Sequence, residues 1–110
     1  MKQVIYQAFP QPKRAVRTMK ITVRFRGPIA REMDDGVLEM EIEDGLTLND
    51  VFAKIIELNS YLQSIWKEAK EIDRDSMILC NEVDIGVTGG LNTTLKDGDI
   101  LTIVPLVHGG

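Results

Sequence analysis

The sequence predicts an α+β fold of two layers: a mixed sheet of about five strands with one main helix across one face. Three observations predict it. Residues 20–26 alternate strictly between apolar and polar side chains and residues 37–43 alternate again, with Leu38, Met40 and Ile42 on one face, as half-buried strands do. Leu48, Val51, Phe52, Ile55 and Ile56 recur at the spacing of one helix face. A β-type run at residues 100–104 is apolar enough to need cover on both sides, the mark of a strand inside a sheet.

In chain order, residues 1–18 carry Lys2, Lys13, Arg14 and Arg17 and no acid. Pro10 and Pro12 discourage regular structure there. Apart from a short apolar patch, Val4-Ile5-Tyr6, the segment reads as a basic, flexible N-terminal extension. The folded domain is expected over 19–105, and a flexible tail over 106–110.

Met19 opens the first strand, with Ile21, Val23 and Phe25 on its inner face. Gly27-Pro28 breaks it, and a long loop runs through Asp34-Asp35-Gly36. In the second strand Leu38, Met40 and Ile42 point inward. Antiparallel pairing would place Glu39 and Glu41 on the solvent side with Arg24 and Arg26. After the Asp44-Gly45 turn, Thr47 stands at a helix N-cap with Asp50 three residues on, a variant of the capping box. Asn59-Ser60 interrupts the helix, and residues 61–66 add a second helical stretch on the same core. Residues 67–75 read as a polar connection. Met77-Ile78-Leu79-Cys80 is a short buried strand, turned by Asn81-Glu82 into Val83-Asp84-Ile85. Gly86-Val87-Thr88-Gly89-Gly90 lacks the Lys-Ser/Thr of a phosphate loop and reads as a glycine turn. Leu95-Lys96-Asp97-Gly98-Asp99 turns the chain into the last strand, which Pro105 ends by removing a backbone donor.

The last strand should lie beside the first and parallel to it, with the helix crossing one face. That arrangement is a β-grasp sheet, a fold that hosts many activities and assigns none.

Composition narrows the chemistry. With 110 residues, 44% hydrophobic and 27% charged, the chain is one ordinary globular domain. One cysteine, Cys80, and one histidine, His108, cannot supply the roughly four ligands of a structural zinc site. Cys80 sits in an apolar run and reads as a small buried side chain, not a reactive thiol. No apolar run approaches the ~20 residues that span a bilayer, and no signal-peptide core is visible. The expected location is the cytoplasm. Residues 19–110 hold nine basic and 17 acidic side chains, a balance that disfavours nucleic acid and favours a partner with a basic surface.

The most informative stretch is the end, Pro105-Leu106-Val107-His108-Gly109-Gly110. Two residues without a Cβ atom can thread a narrow channel. From Pro105 an extended tail reaches on the order of 20 Å, enough to carry the Gly110 carboxylate into another protein.

Taken with Met19-Lys20-Ile21-Thr22-Val23-Arg24-Phe25, Leu79-Cys80-Asn81-Glu82-Val83 and Leu95-Lys96-Asp97-Gly98-Asp99, this tail resembles the ubiquitin-like sulfur carriers. These are the small subunit of molybdopterin synthase, the thiamine sulfur carrier, and the ubiquitin-related and archaeal small modifiers. The resemblance covers residues 19–110. It implies a carrier that is not itself an enzyme and binds no cofactor stably. A ubiquitin-activating-like adenylyltransferase would use ATP and magnesium to adenylate Gly110. A sulfur donor would then replace AMP and leave a thiocarboxylate. Pro105, Leu106, Val107, His108 and Gly109 would contact the partner, together with the exposed sheet face near the tail. Ile103-Val104-Pro105 is similar to molybdopterin synthase small subunits, which implies sulfur donation in molybdenum cofactor biosynthesis with the synthase large subunit as partner. His108 departs from their small residue at that position and is closer to the ubiquitin-related modifiers. Conjugation through Gly110 to protein lysines, sulfur donation for tRNA thiolation, and a plain β-grasp interaction module therefore stay open.

Overall fold

The computed structural model describes residues 3–5 and 17–106. A six-stranded sheet is built from β1 (Gln3–Ile5), β2 (Thr18–Phe25), β3 (Val37–Glu43), β4 (Ser76–Cys80), β5 (Val83–Asp84) and β6 (Ile100–Pro105), in the order β1-β3-β2-β6-β4-β5. β2 and β3 pair antiparallel, and β6 enters parallel to β2 with Thr22 opposite Ile100. This is the β-grasp arrangement. The expected strands are present, and β1 adds a sixth.

The odd-numbered residues of β2 and the even-numbered residues of β3 alternate inward as their pattern requires. Met19, Ile21, Val23, Phe25, Leu38, Met40 and Ile42 are all at most 2% exposed. Against them packs α2 (Leu48–Leu58), burying all five residues of its apolar stripe. Thr47 and Asp50 form the full reciprocal capping box: the Thr47 hydroxyl accepts from the Asp50 amide, and the Asp50 carboxylate accepts from the Thr47 amide. α3 (Ser60–Ile65) follows, capped by the Asn59 side chain, and sets Leu62 and Trp66 into the same core.

The structure departs from the sequence expectation at four places. Residues 27–36 are not a plain loop but contain α1 (Pro28–Glu32) and a 3-10 turn, Asp34–Gly36. Pro28 suits the first helical turn, where its missing donor costs nothing, and Ile29 and Met33 anchor the segment to the core. The polar connection contains α4 (Ala69–Asp75), held down by Ala69 and Ile72 one turn apart. The supposed glycine turn begins as α5 (Ile85–Thr88), whose Asp84 carboxylate accepts from the Gly86 amide at 2.8 Å. Pro105 does not end the pairing, since it lies within β6 opposite Ser76.

The sequence predicts an extension over 1–18. Gln3–Ile5 pairs parallel with Leu38–Met40, and Thr18 opens β2. β1 thereby covers the outer edge of β3, whose backbone groups would otherwise template foreign strands. Glu39 and Glu41 do lie on the open face, where the register sets them opposite Thr22 and Lys20, not opposite the two arginines.

Candidate functional site

β6 lies inside the sheet, between β2 and β4, and it carries the chain toward its end. Backbone groups along a strand point alternately to its two neighbours. Asp99 and Ile103 accept from Thr22 and Arg26 on the β2 side, while Ile100 accepts from Asn81 on the β4 side. By this alternation the missing N–H of Pro105 belongs to the β2 side, where the register stops at Phe25 opposite Ile103. The proline therefore leaves the β4 ladder whole. Leu106 continues that ladder, its amide donating to the Asp75 carbonyl at 2.8 Å.

Asp75 is the last residue of α4, and its carbonyl is one of the four that a helix end leaves without an intrahelical donor. The root of the tail thus caps a helix. The Asp75 carboxylate is also engaged. One oxygen accepts from the Trp66 indole N–H at 3.1 Å and from Arg74 Nη2 at 2.9 Å, and the other accepts from Arg74 Nε at 2.7 Å.

Of the residues predicted for the site, Pro105 is half-buried at the end of β6 and Leu106 is 50% exposed just beyond it. Val107, His108, Gly109 and Gly110 lie outside the described residues. The exposed sheet face near the tail, expected to dock on the partner, is formed by residues that the sequence did not single out. Core residues Ile78, Leu101 and Ile103 point toward the helices, so Met77, Leu79 and Val104 point to the open face. The register sets Met77 opposite Val104 and Leu79 opposite Thr102, with Arg24 next to Thr102 on the other side. Met77 is 41% exposed, and Arg26 is exposed at the end of β2. An apolar strip flanked by two arginines therefore borders the exit. The run Met77-Ile78-Leu79-Cys80 hid it, because four consecutive apolar residues do not reveal which alternate pair faces solvent.

The Cys80 thiol is poorly suited to act as a nucleophile. Burial, together with the nearby Asp99 carboxylate, pushes the Cys80 thiol up to about 11. Among the described residues no group of three or more His, Cys, Asp or Glu is placed to hold a metal ion. An open hollow of about 250 Å³ between α2 and the start of α4, lined by Asn49, Ala53, Lys67 and Glu68, includes none of the residues around the exit. No helix is long and apolar enough to cross a membrane among the described residues.

Comparison with known proteins agrees with this geometry. The ThiS family model matches residues 29–110. A chain of the protein–protein complex of subunits 1 and 2 of molybdopterin-converting factor from Helicobacter pylori is 30% identical. That match covers 84% of this chain and 100% of that one, with a TM-score of 0.53. In the BexX/CysO complex of Amycolatopsis orientalis the matching chain is 28% identical, over 82% of this chain and 99% of that one, with a TM-score of 0.56. The small archaeal modifier protein 1 of Methanosarcina acetivorans shares the fold at a TM-score of 0.66 and 24% identity, covering 86% and 99% of the two chains. No curated protein matches the sequence.

Proposed function

The chain belongs to the ThiS family of ubiquitin-like sulfur carriers and modifiers, and on that footing we propose that its Gly110 carboxylate is the reacting group, converted to a thiocarboxylate that donates sulfur in molybdopterin assembly. The observation that carries this reading is the exit itself. An interior strand delivers the chain end past an exposed Leu106 beside an apolar strip. The four residues after Leu106 span about 13 Å when extended, which takes the carboxylate into an enzyme while the sheet stays outside.

A carboxylate is a poor electrophile. Attack of its oxygen on the α-phosphorus of ATP, with magnesium in the activating enzyme, releases pyrophosphate and gives an acyl-adenylate. A sulfur nucleophile then displaces AMP. The carrier's own residues bind and present: Met77, Leu79, Val104 and Leu106 supply apolar contact, and Arg24 and Arg26 supply charge at its rim. The kinship with a molybdopterin-converting factor chain at 30% identity supports the molybdopterin branch and a large-subunit partner.

The test is an intact mass after incubation with the activating adenylyltransferase, ATP, magnesium and sulfide. Replacement of one C-terminal oxygen by sulfur is expected. Sulfur transfer to a molybdopterin precursor in the presence of the synthase large subunit then checks the acceptor. If no adenylyltransferase from the same organism exchanges the oxygen, the carrier reading is wrong. A second reading, conjugation to lysines, is favoured by His108 ahead of Gly109-Gly110. Gly-Gly remnants on lysines of other proteins would establish it.

A further inference from the structure

We propose that Asp75 is a positioning residue for the C-terminal tail: its carboxylate, fixed by Trp66 and Arg74, holds in place the carbonyl that anchors Leu106. The proposal rests on the carrier reading for its consequence in transfer, though not for the anchor itself.

Three observations carry it. First, the bond from the Leu106 amide to the Asp75 carbonyl, at 2.8 Å, ties down the residue directly ahead of the reacting segment. Secondly, an acid in the last turn of a helix faces the negative end of the helix dipole and is locally unfavourable. Here that acid closes α4, and its carboxylate is held on both oxygens by Arg74, with Trp66 donating to one of them. Thirdly, Trp66 is 3% exposed and forms the C-cap of α3. The carboxylate therefore fastens the end of α4 to a fixed point in the core, while the carbonyl of the same residue fastens the tail root. Side chain and main chain of one residue connect the helical layer to the exit.

An anchored Leu106 fixes the point and direction at which the chain leaves the sheet. Presentation to an enzyme channel then needs less ordering at the moment of binding. Asn at position 75 keeps a carbonyl oxygen for the indole N–H; Ala removes both oxygens.

The experiment compares full-length wild type, Asp75→Asn and Asp75→Ala by amide hydrogen exchange and by steady-state activation. Leaving the buried indole N–H of Trp66 without its acceptor should speed exchange at the Leu106 amide roughly tenfold in Asp75→Ala. The β2 and β3 amides should stay as in wild type, and Asp75→Asn should fall near wild type. In activation, Asp75→Ala should raise the KM for the carrier and leave kcat unchanged. The sole tryptophan gives a second readout, its fluorescence shifting in Asp75→Ala and much less in Asp75→Asn. Trp66→Phe, which keeps the carboxylate and removes the indole donor, should speed Leu106 exchange in the same direction. Unchanged Leu106 exchange in Asp75→Ala would overturn the anchor. Faster exchange with an unaltered KM would overturn its role in presentation. A wild-type protein that is never activated would instead overturn the carrier reading, and Leu106 exchange would still decide the anchor.

Discussion

The Asn81 side chain donates to the Asp99 carboxylate at 2.8 Å, while its own carbonyl accepts the amide of Ile100 at 2.9 Å. The turn between β4 and β5 is thereby locked onto the start of β6. Asp99, 8% exposed, also accepts the Lys96 amide through its other oxygen at 2.8 Å. Asp99→Ala leaves two donors without their acceptor and should cost about 2 kcal/mol, read from the urea midpoint at unchanged slope. The same carboxylate adds to the burial that holds the Cys80 thiol at about 11. Alkylation of Cys80 in the native protein should therefore keep accelerating with pH beyond the ordinary thiol range. Asp99→Asn should shift that profile toward lower pH while leaving the contribution of burial.

Gly36 has a φ of +73°, and a Cβ atom there would stand 2.8 Å from both the Phe25 carbonyl oxygen and the Ala30 side chain. Gly45, at +90°, has open space around it. Gly36→Ala should destabilise by about 3 kcal/mol from strain and overlap together, against about 1 kcal/mol for Gly45→Ala from backbone strain alone. Thermal unfolding of the two variants side by side separates these effects.

What the sequence made legible was whatever repeats over enough residues. β2, β3 and α2 each carry several alternations or two full turns of period, and the Thr47–Asp50 cap is local, so all of these could be read. The parallel entry of β6 followed from its apolar run. α1, α4 and α5 have five, seven and four residues, too few to display a helical period. They form because Ile29 and Met33, Ala69 and Ile72, or the Asp84 cap tie them to structure elsewhere. β1 has three residues and pairs with the edge of β3, too short a run to display its own alternation. The Asp75 site joins Trp66, Arg74 and Leu106 across three elements, and no local pattern encodes such a meeting. The reading of the tail rests on its chemistry alone, since its last four residues lie outside the described structure.

Thr47→Ala removes the hydroxyl that accepts the Asp50 amide and should cost about 1 kcal/mol. Asp50→Ala removes the acceptor of the Thr47 amide, 2.9 Å away, and should cost a similar amount. Because the two bonds are reciprocal, the double variant should lose less than the sum of the singles. A double-mutant cycle in urea measures the difference, and strict additivity would mean that the two halves of the cap act independently.

Handle and reagent should come apart under two substitutions. Met77 is 41% exposed on the open face beside the exit, so Met77→Glu should leave the unfolding midpoint within about 0.5 kcal/mol of wild type. Placing a charge in an apolar contact should weaken binding to the activating enzyme on the order of tenfold or more. The C-terminal carboxylate of that variant remains intact, so saturating enzyme should restore full sulfur exchange in an intact mass. Removing Gly110 should do the reverse. Binding through the sheet face would persist in a calorimetric titration, yet no concentration of enzyme should restore exchange, because the new terminus falls one residue short of the reacting position. If the shortened chain accepts sulfur as readily as wild type, the terminal glycine is not the reagent.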